Sequence, residues 1–470
     1  MEGGDIAIEL DPVFLSRLQF AFVVTFHIIF PAFTIGLAAW LATIETARLV
    51  TGHALYRRMF DFWLRVFAVS FGMGVVSGIV MAFQFGTNWA VLAERSGPIQ
   101  GPLLGYEAFT AFLLEATFFG VMLLGRGRVA PAFYALACWM VALGTMASSF
   151  WILANNSWMQ VPVGHEVVNG LIVPKDWLAI VLGPVQMVRW PHMLLAAFLT
   201  TGMCVIATGA WYLLRDVHRA EARMMLHWGL GLVAVLIPAQ LFVGHLVGLY
   251  VLQHQPVKFA AIEARWQTQQ PASEVLLAWP DEAAGVNRFA IEIPRLGSFI
   301  ASGDWNARET GLDAFAAEDR PPVAIPFFTF RIMVGMGLLM LAVSWVGVLL
   351  RLLGRLDDSR WYLWPAFLSF PSGFVAVIAG WYTAEIGRQP WVIYGILRTE
   401  DAVNPSLAGP EVAISLAGYV LVYAVVYSFG LTYIYRLLRD GPQPTPTPER
   451  ATARRPLAFA GADATGSREG

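Results

Sequence analysis

The chain has 470 residues, of which 57% are hydrophobic and 14% are charged, and its formal net charge is −2. Soluble domains carry about 25% charged residues, so most of this chain belongs in a lipid bilayer, and a charge near zero excludes a basic nucleic-acid-binding surface. The two cysteines, Cys138 and Cys204, lie in apolar runs, which argues against a disulfide framework or a thiolate metal site.

Nine apolar stretches are each long enough to cross a bilayer, which takes about 20 residues of helix. They lie near 14–44, 60–84, 104–125, 129–153, 189–213, 227–252, 326–351, 361–386 and 412–437. A shorter apolar piece at 176–187 favours an interfacial helix before the fifth span. The N-terminus lacks a cleavable signal pattern, so we expect the first helix to be kept. The sequence predicts an all-α integral membrane protein, a bundle of nine transmembrane helices.

Basic residues are distributed unevenly between the two sides of this bundle. The loops that follow odd-numbered spans are rich in arginine, namely Arg48, Arg57, Arg58, Arg126, Arg128, Arg215, Arg219, Arg223, Arg351, Arg355 and Arg360. The short loops on the other side carry little more than Arg95, Lys175, Arg388 and Arg398. By the positive-inside rule, the N-terminus lies outside and the C-terminus lies in the cytoplasm.

The same pattern divides the chain into four parts. Residues 1–252 contain spans one to six, and residues 326–438 contain spans seven to nine. Between them, residues 253–325 form one large polar loop on the outer face. Residues 439–470, which include GPQPTPTPER, have the composition of a disordered cytoplasmic tail.

Ionisable side chains within the spans are functional candidates, because they are costly in lipid. They are His27, Glu107, Glu115, His192, His245, Arg331 and Glu385. Helix geometry places His27 about 20 Å below the outer end of the first span. It separates Glu107 from Glu115 by about 12 Å along the axis and roughly 80° around it. Most of these groups, together with Met333, converge on the outer half of the bundle.

Histidine with methionine is a common axial pair for a low-spin haem, and 18 tryptophans and 32 phenylalanines could wall flat macrocycles. Taken singly, each residue also has a structural interpretation as a packed histidine, a core methionine or a helix-end anchor. Two further functions stay open. One is a proton-coupled transporter, which would show inverted repeats and broken helices near the midplane. The other is a haem b electron-transfer protein without oxygen chemistry.

Seven stretches carry a family resemblance: SRLQFAFVVTFH (16–27), GYEAFTAFLLEATFFG (105–120), WILANNSWMQVPVG (151–164), RWPHM (189–193), QPVKFAAIEARW (255–266), FRIMVGMG (330–337) and GWYTAEIGRQPW (380–391). In this order, they resemble subunit I of the cytochrome bd quinol oxidases over nearly all of residues 10–437. The outer loop after Lys258 is short, as in the members often called cyanide-insensitive oxidases.

The resemblance implies a set of haem ligands. His192 and Met333 match the axial ligands of a low-spin haem b. His27 and Glu385 match the proximal ligands of two high-spin haems, one a haem b and one a haem d, and we expect haem d at His27. The resemblance also implies that Arg331 and Arg388 lie near haem propionates. Trp381 would cover a ring.

The resemblance assigns further residues to proton transfer and to quinol binding. Glu107 and Glu115 match acids that bring protons to the high-spin haems. Lys258 and Glu263 match quinol-site residues, with the lysine holding a quinol oxygen and the glutamate accepting a proton. His245, just before the loop, has either a quinol-site or proton role or a structural one.

The activity that the resemblance implies is that of a terminal quinol:oxygen oxidoreductase. It would oxidise ubiquinol or menaquinol at the outer face and reduce O2 to water with cytoplasmic protons, generating proton motive force without pumping. The implied partners are a second multi-span subunit (subunit II) and, in some members, a small accessory membrane peptide; we expect no nucleic-acid partner. The implied location is the bacterial cytoplasmic (inner) membrane.

Overall fold

The computed structural model describes residues 10–443, and within this range nine helical stretches are long and apolar enough to cross a membrane. The predicted number of spans is therefore confirmed, whereas the orientation of the termini stays a prediction. The last span continues to Asp440, so the predicted tail begins slightly later than residue 439, and most of that tail lies outside the described residues.

Each of the first six spans consists of one to three consecutive helical segments. They are α1 (Pro12–Thr51); α2 (Ala54–Gly86); α3 (Ala90–Tyr106), a π-helical segment (Glu107–Phe112) and α4 (Leu113–Leu124); α5 (Pro131–Gln160); α6 (Trp177–Val181) and α7 (Gln186–Leu214); and α8 (Arg219–His254). Asp11 caps α1 by accepting hydrogen bonds from the backbone of Val13 and Phe14. Asp176 caps α6 in the same way, in the region where an interfacial helix was predicted.

Two short helices occupy the outer loop, and three further spans follow it. The loop helices are α9 (Pro256–Ile262) and α10 (Leu296–Ser302). The spans are α11 (Ala324–Leu352), α12 (Arg360–Leu368) with α13 (Ser372–Ile386), and α14 (Gly409–Asp440). Single 3-10 turns lie at Leu312–Ala314, Ala317–Asp319, Leu356–Asp358 and Glu400–Ala402. The third span begins at Ala90, earlier than the predicted residue 104. The prediction was late because Glu94, Arg95 and Gln100 make the first turns of this helix less apolar than a typical span.

Three antiparallel hairpins lie in the loops between spans of the described chain. They are formed by β1 (His165–Val168) with β2 (Leu171–Pro174), β3 (Glu274–Asp281) with β4 (Val286–Ile293), and β5 (Trp391–Ile393) with β6 (Leu397–Arg398). All three are on the side predicted to be outside. The predicted all-α class therefore holds for the membrane bundle, and the outer surface adds short strands to it.

The largest buried cluster lies toward the arginine-rich ends of the helices. Leu41, Phe60 and Trp63 are completely or almost completely buried there. At the same end, the fully buried carboxylate of Glu45 forms ion pairs with Arg48 (2.7 Å) and with Arg126 (2.9 Å). This packed half leaves the other half of the bundle to carry most of the candidate site.

Candidate functional site

His27 lies between α1 and α2. Its Nδ1 is 3.0 Å from the hydroxyl of Ser77, and the next residue of α2 is Gly78. A Cβ at Gly78 would lie 3.1 Å from Cε1 of His27, so this glycine leaves room for the imidazole. The ring is thus held by one hydrogen bond and keeps Nε2 as the nitrogen that could bind a metal.

His192 on α7 and Met333 on α11 each face a glycine of a neighbouring helix. A Cβ at Gly244 would lie 3.0 Å from Cε1 of His192, and a Cβ at Gly380 would lie 2.8 Å from Sδ of Met333. Nδ1 of His192 is buried and has no hydrogen-bond partner among residues 10–443. An imidazole and a thioether that sit in glycine-lined spaces fit the axial ligation of a haem iron.

The carboxylate of Glu385, at the end of α13, accepts several hydrogen bonds. Asn156 and Gln160, both on α5, donate to its Oε1 at 3.0 Å each. Nη2 of Arg388 donates to Oε2. Trp381 lies one turn before Glu385 on the same helix and therefore on the same face.

Arg388 follows α13 and is 5% exposed. Only its Nη2 is engaged, because Nε and Nη1 are buried with no partner in the described part of the chain. A buried guanidinium with two free donors is suited to a second carboxylate, such as a haem propionate. The donor set around α13 therefore fits a haem with an acidic edge.

Glu107 and Glu115 face the same strip of α5. Ser148 donates a hydrogen bond to Oε1 of Glu107 at 2.9 Å. Glu115 packs against Gly144, one turn earlier on α5, where an added Cβ would lie 2.7 Å from the glutamate Cγ. Glu115 is 6% exposed, and its Oε1 has no partner within residues 10–443.

The sequence-based estimate of roughly 80° between these acids is wrong. It assumed a continuous α-helix, whereas residues 107–112 form a π-helical segment. The wider π turn contains one extra residue and rotates the residues that follow it by about 100°. Glu115 is thereby brought onto the side of the third span that Glu107 occupies.

Lys258 lies on α9 and is only 3% exposed. Its Nζ donates to Oε1 of Gln160 at 2.8 Å and to Oε1 of Gln255 at 3.1 Å. Burial lowers the pKa of Lys258 well below its usual range, and Arg189 lowers it further. The lysine predicted to bind quinol is therefore an internal group in this structure, held by two amides.

Glu263 follows α9 and pairs with Arg331 of α11, at 3.2 Å from Nη2. The same nitrogen is 3.7 Å from Oε1 of Glu274, the first residue of β3. Arg331 also donates to the carbonyls of Ile262 (2.9 Å) and Val275. The family resemblance predicts that Arg331 lies near a haem propionate. In the described structure, the groups that Arg331 contacts all lie in the outer loop or on α11 itself.

Sequence reasoning missed four residues that the fold brings into the site. Glu274 joins it only through the hairpin, and burial together with Glu263 raises its pKa to about 8. Asn156, Gln160 and Arg189 stand in motifs quoted above, but no role was assigned to them. Arg189 donates to Asn156 at 2.6 Å. His245 is exposed on α8, and its role stays open.

Comparison with known proteins gives the family. Residues 15–442 match the family model described as cytochrome bd terminal oxidase subunit I. The chain belongs to this family. It is 33% identical to cytochrome bd-II ubiquinol oxidase subunit 1 of Escherichia coli (strain K12), over 92% of this chain and 97% of that protein. It is also 33% identical to cytochrome bd ubiquinol oxidase subunit 1 of Bacillus subtilis (strain 168), over 91% and 92%.

A solved structure has the same fold. The bd oxidase from Geobacillus thermodenitrificans matches with a TM-score of 0.85 and 28% identity, over 92% of this chain and all of that chain. The protein is therefore a subunit of a terminal quinol oxidase of the bacterial cytoplasmic membrane, a family that works with haem, quinol and a membrane partner subunit. The family assignment gives no support to the transporter alternative.

Proposed function

We propose that this chain is the haem-bearing catalytic subunit of its oxidase. It oxidises quinol at the outer face and passes the electrons to O2, with protons taken from the cytoplasmic side. The observation that carries this proposal is the placement of His192 and Met333 in spaces kept open by Gly244 and Gly380.

The haem assignment follows the donors on each helix. His192 and Met333 hold a low-spin haem b, while His27 and Glu385 hold the two high-spin haems, with haem d at His27. When bound, the low-spin haem supplies one-electron transfer and the high-spin haems supply oxygen binding and reduction. Arg388 offers its two free donors to a propionate. Trp381 covers a ring, and Arg331 keeps the outer loop against the span that carries Met333.

On the quinol side, residues 253–325 form the binding loop. Lys258 donates to a quinol oxygen, which takes the place of one of its two amide acceptors. Glu263, which lies 3.2 Å from Nη2 of Arg331, accepts the proton of a quinol hydroxyl. Each quinol releases its protons on the outer side.

On the oxygen side, Glu107 and Glu115 hold protons for the reduction of O2. Both carboxyl groups face α5, and Ser148 fixes the position of Glu107. Protons are consumed from the cytoplasm and released outside, so charge separation follows from the two locations and needs no pump. The partners are a second multi-span subunit and, as a further proposal, a small accessory membrane peptide.

A dithionite-reduced minus oxidised spectrum of the purified complex tests the proposal. Haem b bands together with a red-shifted chlorin band are expected. Loss of the low-spin haem b signal in His192→Ala is expected as well. Absence of any haem signal in a folded complex overturns the proposal, and haem b without the chlorin band overturns the assignment of haem d.

The quinol side needs its own test. Combined Lys258→Ala and Glu263→Ala should abolish quinol turnover while the haem spectrum stays intact. An exposed residue of the same loop, Arg308, supplies a matched control as Arg308→Ala. Undiminished turnover in the double variant means that the loop is not the quinol site.

A further inference from the structure

The side-chain amide of Gln160 connects the two halves of the proposed machinery. Gln160 is the last residue of α5 and is 2% exposed. Its Oε1 accepts from Nζ of Lys258 at 2.8 Å, and its Nε2 donates to Oε1 of Glu385 at 3.0 Å. Nε2 also donates to the carbonyl of Ala384 at 3.3 Å. One amide thus contacts both the loop lysine and the carboxylate at the end of α13.

The chemistry of these neighbours fixes the orientation of the amide. A carboxylate that pairs with Arg388 only accepts hydrogen bonds, so the NH2 group must face Glu385, and the amide oxygen is left to accept from Nζ of Lys258. The backbone carbonyl of Gln160 is also engaged, since Gln255 donates to it at 3.0 Å. The end of α5 is therefore fastened to the start of the outer loop.

Lys258 depends strongly on this contact. Among residues 10–443, no carboxylate lies close enough to pair with it directly, and its hydrogen-bond acceptors are the two amide oxygens of Gln160 and Gln255. A buried polar group is costly unless it is hydrogen-bonded. Removal of one amide should therefore move Lys258 or expose it.

We propose that Gln160 is a positioning residue that sets the place of Lys258 in the quinol site and, with the same amide, the orientation of Glu385 at the high-spin haem. This inference rests on the proposed function. It predicts that a substitution of Gln160 alters both quinol binding and the spectrum of the high-spin haem.

Two neighbours of Gln160 separate these effects. The side chain of Gln255 contacts Lys258 and makes no described hydrogen bond to Glu385. The side chain of Asn156 contacts Glu385 and makes no described hydrogen bond to Lys258. Gln255→Leu and Asn156→Leu are therefore matched controls for Gln160→Leu, since each removes a contact to only one of the two groups, Lys258 or Glu385.

The experiment uses the purified complex with its partner subunit and a short-chain quinol as substrate. Gln160→Leu should raise the KM for quinol about tenfold or more, as expected for loss of a hydrogen bond to a charged group, and should also alter the high-spin haem bands and the CO-difference spectrum. Gln255→Leu should change only KM, and Asn156→Leu should change only the high-spin spectrum. The low-spin haem b signal should be normal in all three and reports correct assembly.

Gln160→Glu provides a second test in case the leucine variant does not assemble. A glutamate keeps an acceptor for Lys258 and places a negative charge against Glu385. We expect a KM near that of the wild type and a changed high-spin spectrum. The inference is overturned if either assembled variant leaves the high-spin spectrum as in the wild type, or if Gln160→Leu leaves KM unchanged. Failure of the proposed function is a different result, because then the wild-type complex itself lacks haem.

Discussion

Arg331 and Glu263 lie 3.2 Å apart and join the seventh span to the outer loop. The guanidinium extends from α11 and also donates to backbone carbonyls at the end of α9 and at the start of β3. Met333 stands two residues further along α11. The loop that carries Lys258 and Glu263 is thereby fixed to the helix that carries a proposed haem ligand.

Arg331→Leu should loosen this loop. The change leaves Glu263 buried without its partner, which destabilises the local structure by about 3 kcal/mol. Amide hydrogen exchange in Pro256–Ile262 and Glu274–Asp281 should accelerate about a hundredfold. Arg308→Leu, at an exposed position of the same loop, should leave the exchange rates unchanged. Equal protection in both variants would contradict the anchoring role.

Glu274 should make the stability of the outer loop dependent on pH. Burial, and next the neighbouring Glu263, raise the pKa of Glu274 from 4.5 to about 8. Between these values the folded loop retains a proton that the unfolded loop releases, so its stability should fall as pH rises from about 4.5 to about 8.

Glu274→Gln should reduce this pH dependence, because an amide cannot ionise. Hydrogen exchange of β3, measured at about pH 5, 7 and 9, would show the difference. Glu292→Gln is the matched control, since Glu292 is exposed on the neighbouring strand β4. A pH profile that is the same in Glu274→Gln and in the wild type would refute the role of this carboxyl group.

Met333→Leu should remove or weaken the low-spin haem b signal, because leucine fills the space but offers no sulfur ligand. The expected loss of fold stability is below about 1.5 kcal/mol, as for other volume-conserving exchanges. Met340→Leu, at a buried position of the same helix, is the control and should keep a wild-type spectrum. Reduced-minus-oxidised spectra distinguish the two, and a normal signal in Met333→Leu would exclude this ligand.

Gly380→Ala should disturb the low-spin haem b by displacing its proposed ligand Met333. The new methyl group would lie 2.8 Å from Sδ of Met333, so the methionine has to move. Gly335→Ala, which would meet nothing within 4 Å, should be neutral or stabilise α11 by up to about 1 kcal/mol. The midpoint potential of the low-spin haem and its band position are the measurements. Identical values in both variants would show that the Gly380 space is not required.

The spans were predictable from sequence because each is a long apolar run, and the predicted count of nine agrees with the structure over residues 10–443. The start of the third span was placed too late, since its first turns contain charged residues that nevertheless lie on a helix. The strands β3 and β4 were not predicted, because the loop was interpreted from its polar composition alone.

The candidate site was predictable where its residues are ionisable or belong to a motif. Gln160 and Asn156 were missed because a search for charges inside spans passes over neutral amides. Glu274 was missed because only the hairpin brings it to Arg331. The relative direction of Glu107 and Glu115 could not be read from spacing, since a π-helical segment has no apolar pattern of its own.

That π-helical segment makes the third span one residue longer than a regular helix between the same two ends requires. A deletion of one residue within 107–112 could therefore be absorbed by a return to ordinary α-helix, with both acids still present and the span still continuous. The two acids would then be seven residues apart on a regular helix, within about 20° of each other around its axis, and would still face the same side. The alignment of these acids thus needs either the present eight-residue spacing with a π-helical turn or a seven-residue spacing on a regular helix. Sequence variants shorter by one residue there would keep both the side chains and their alignment, whereas the present sequence wound as a regular helix would lose the alignment.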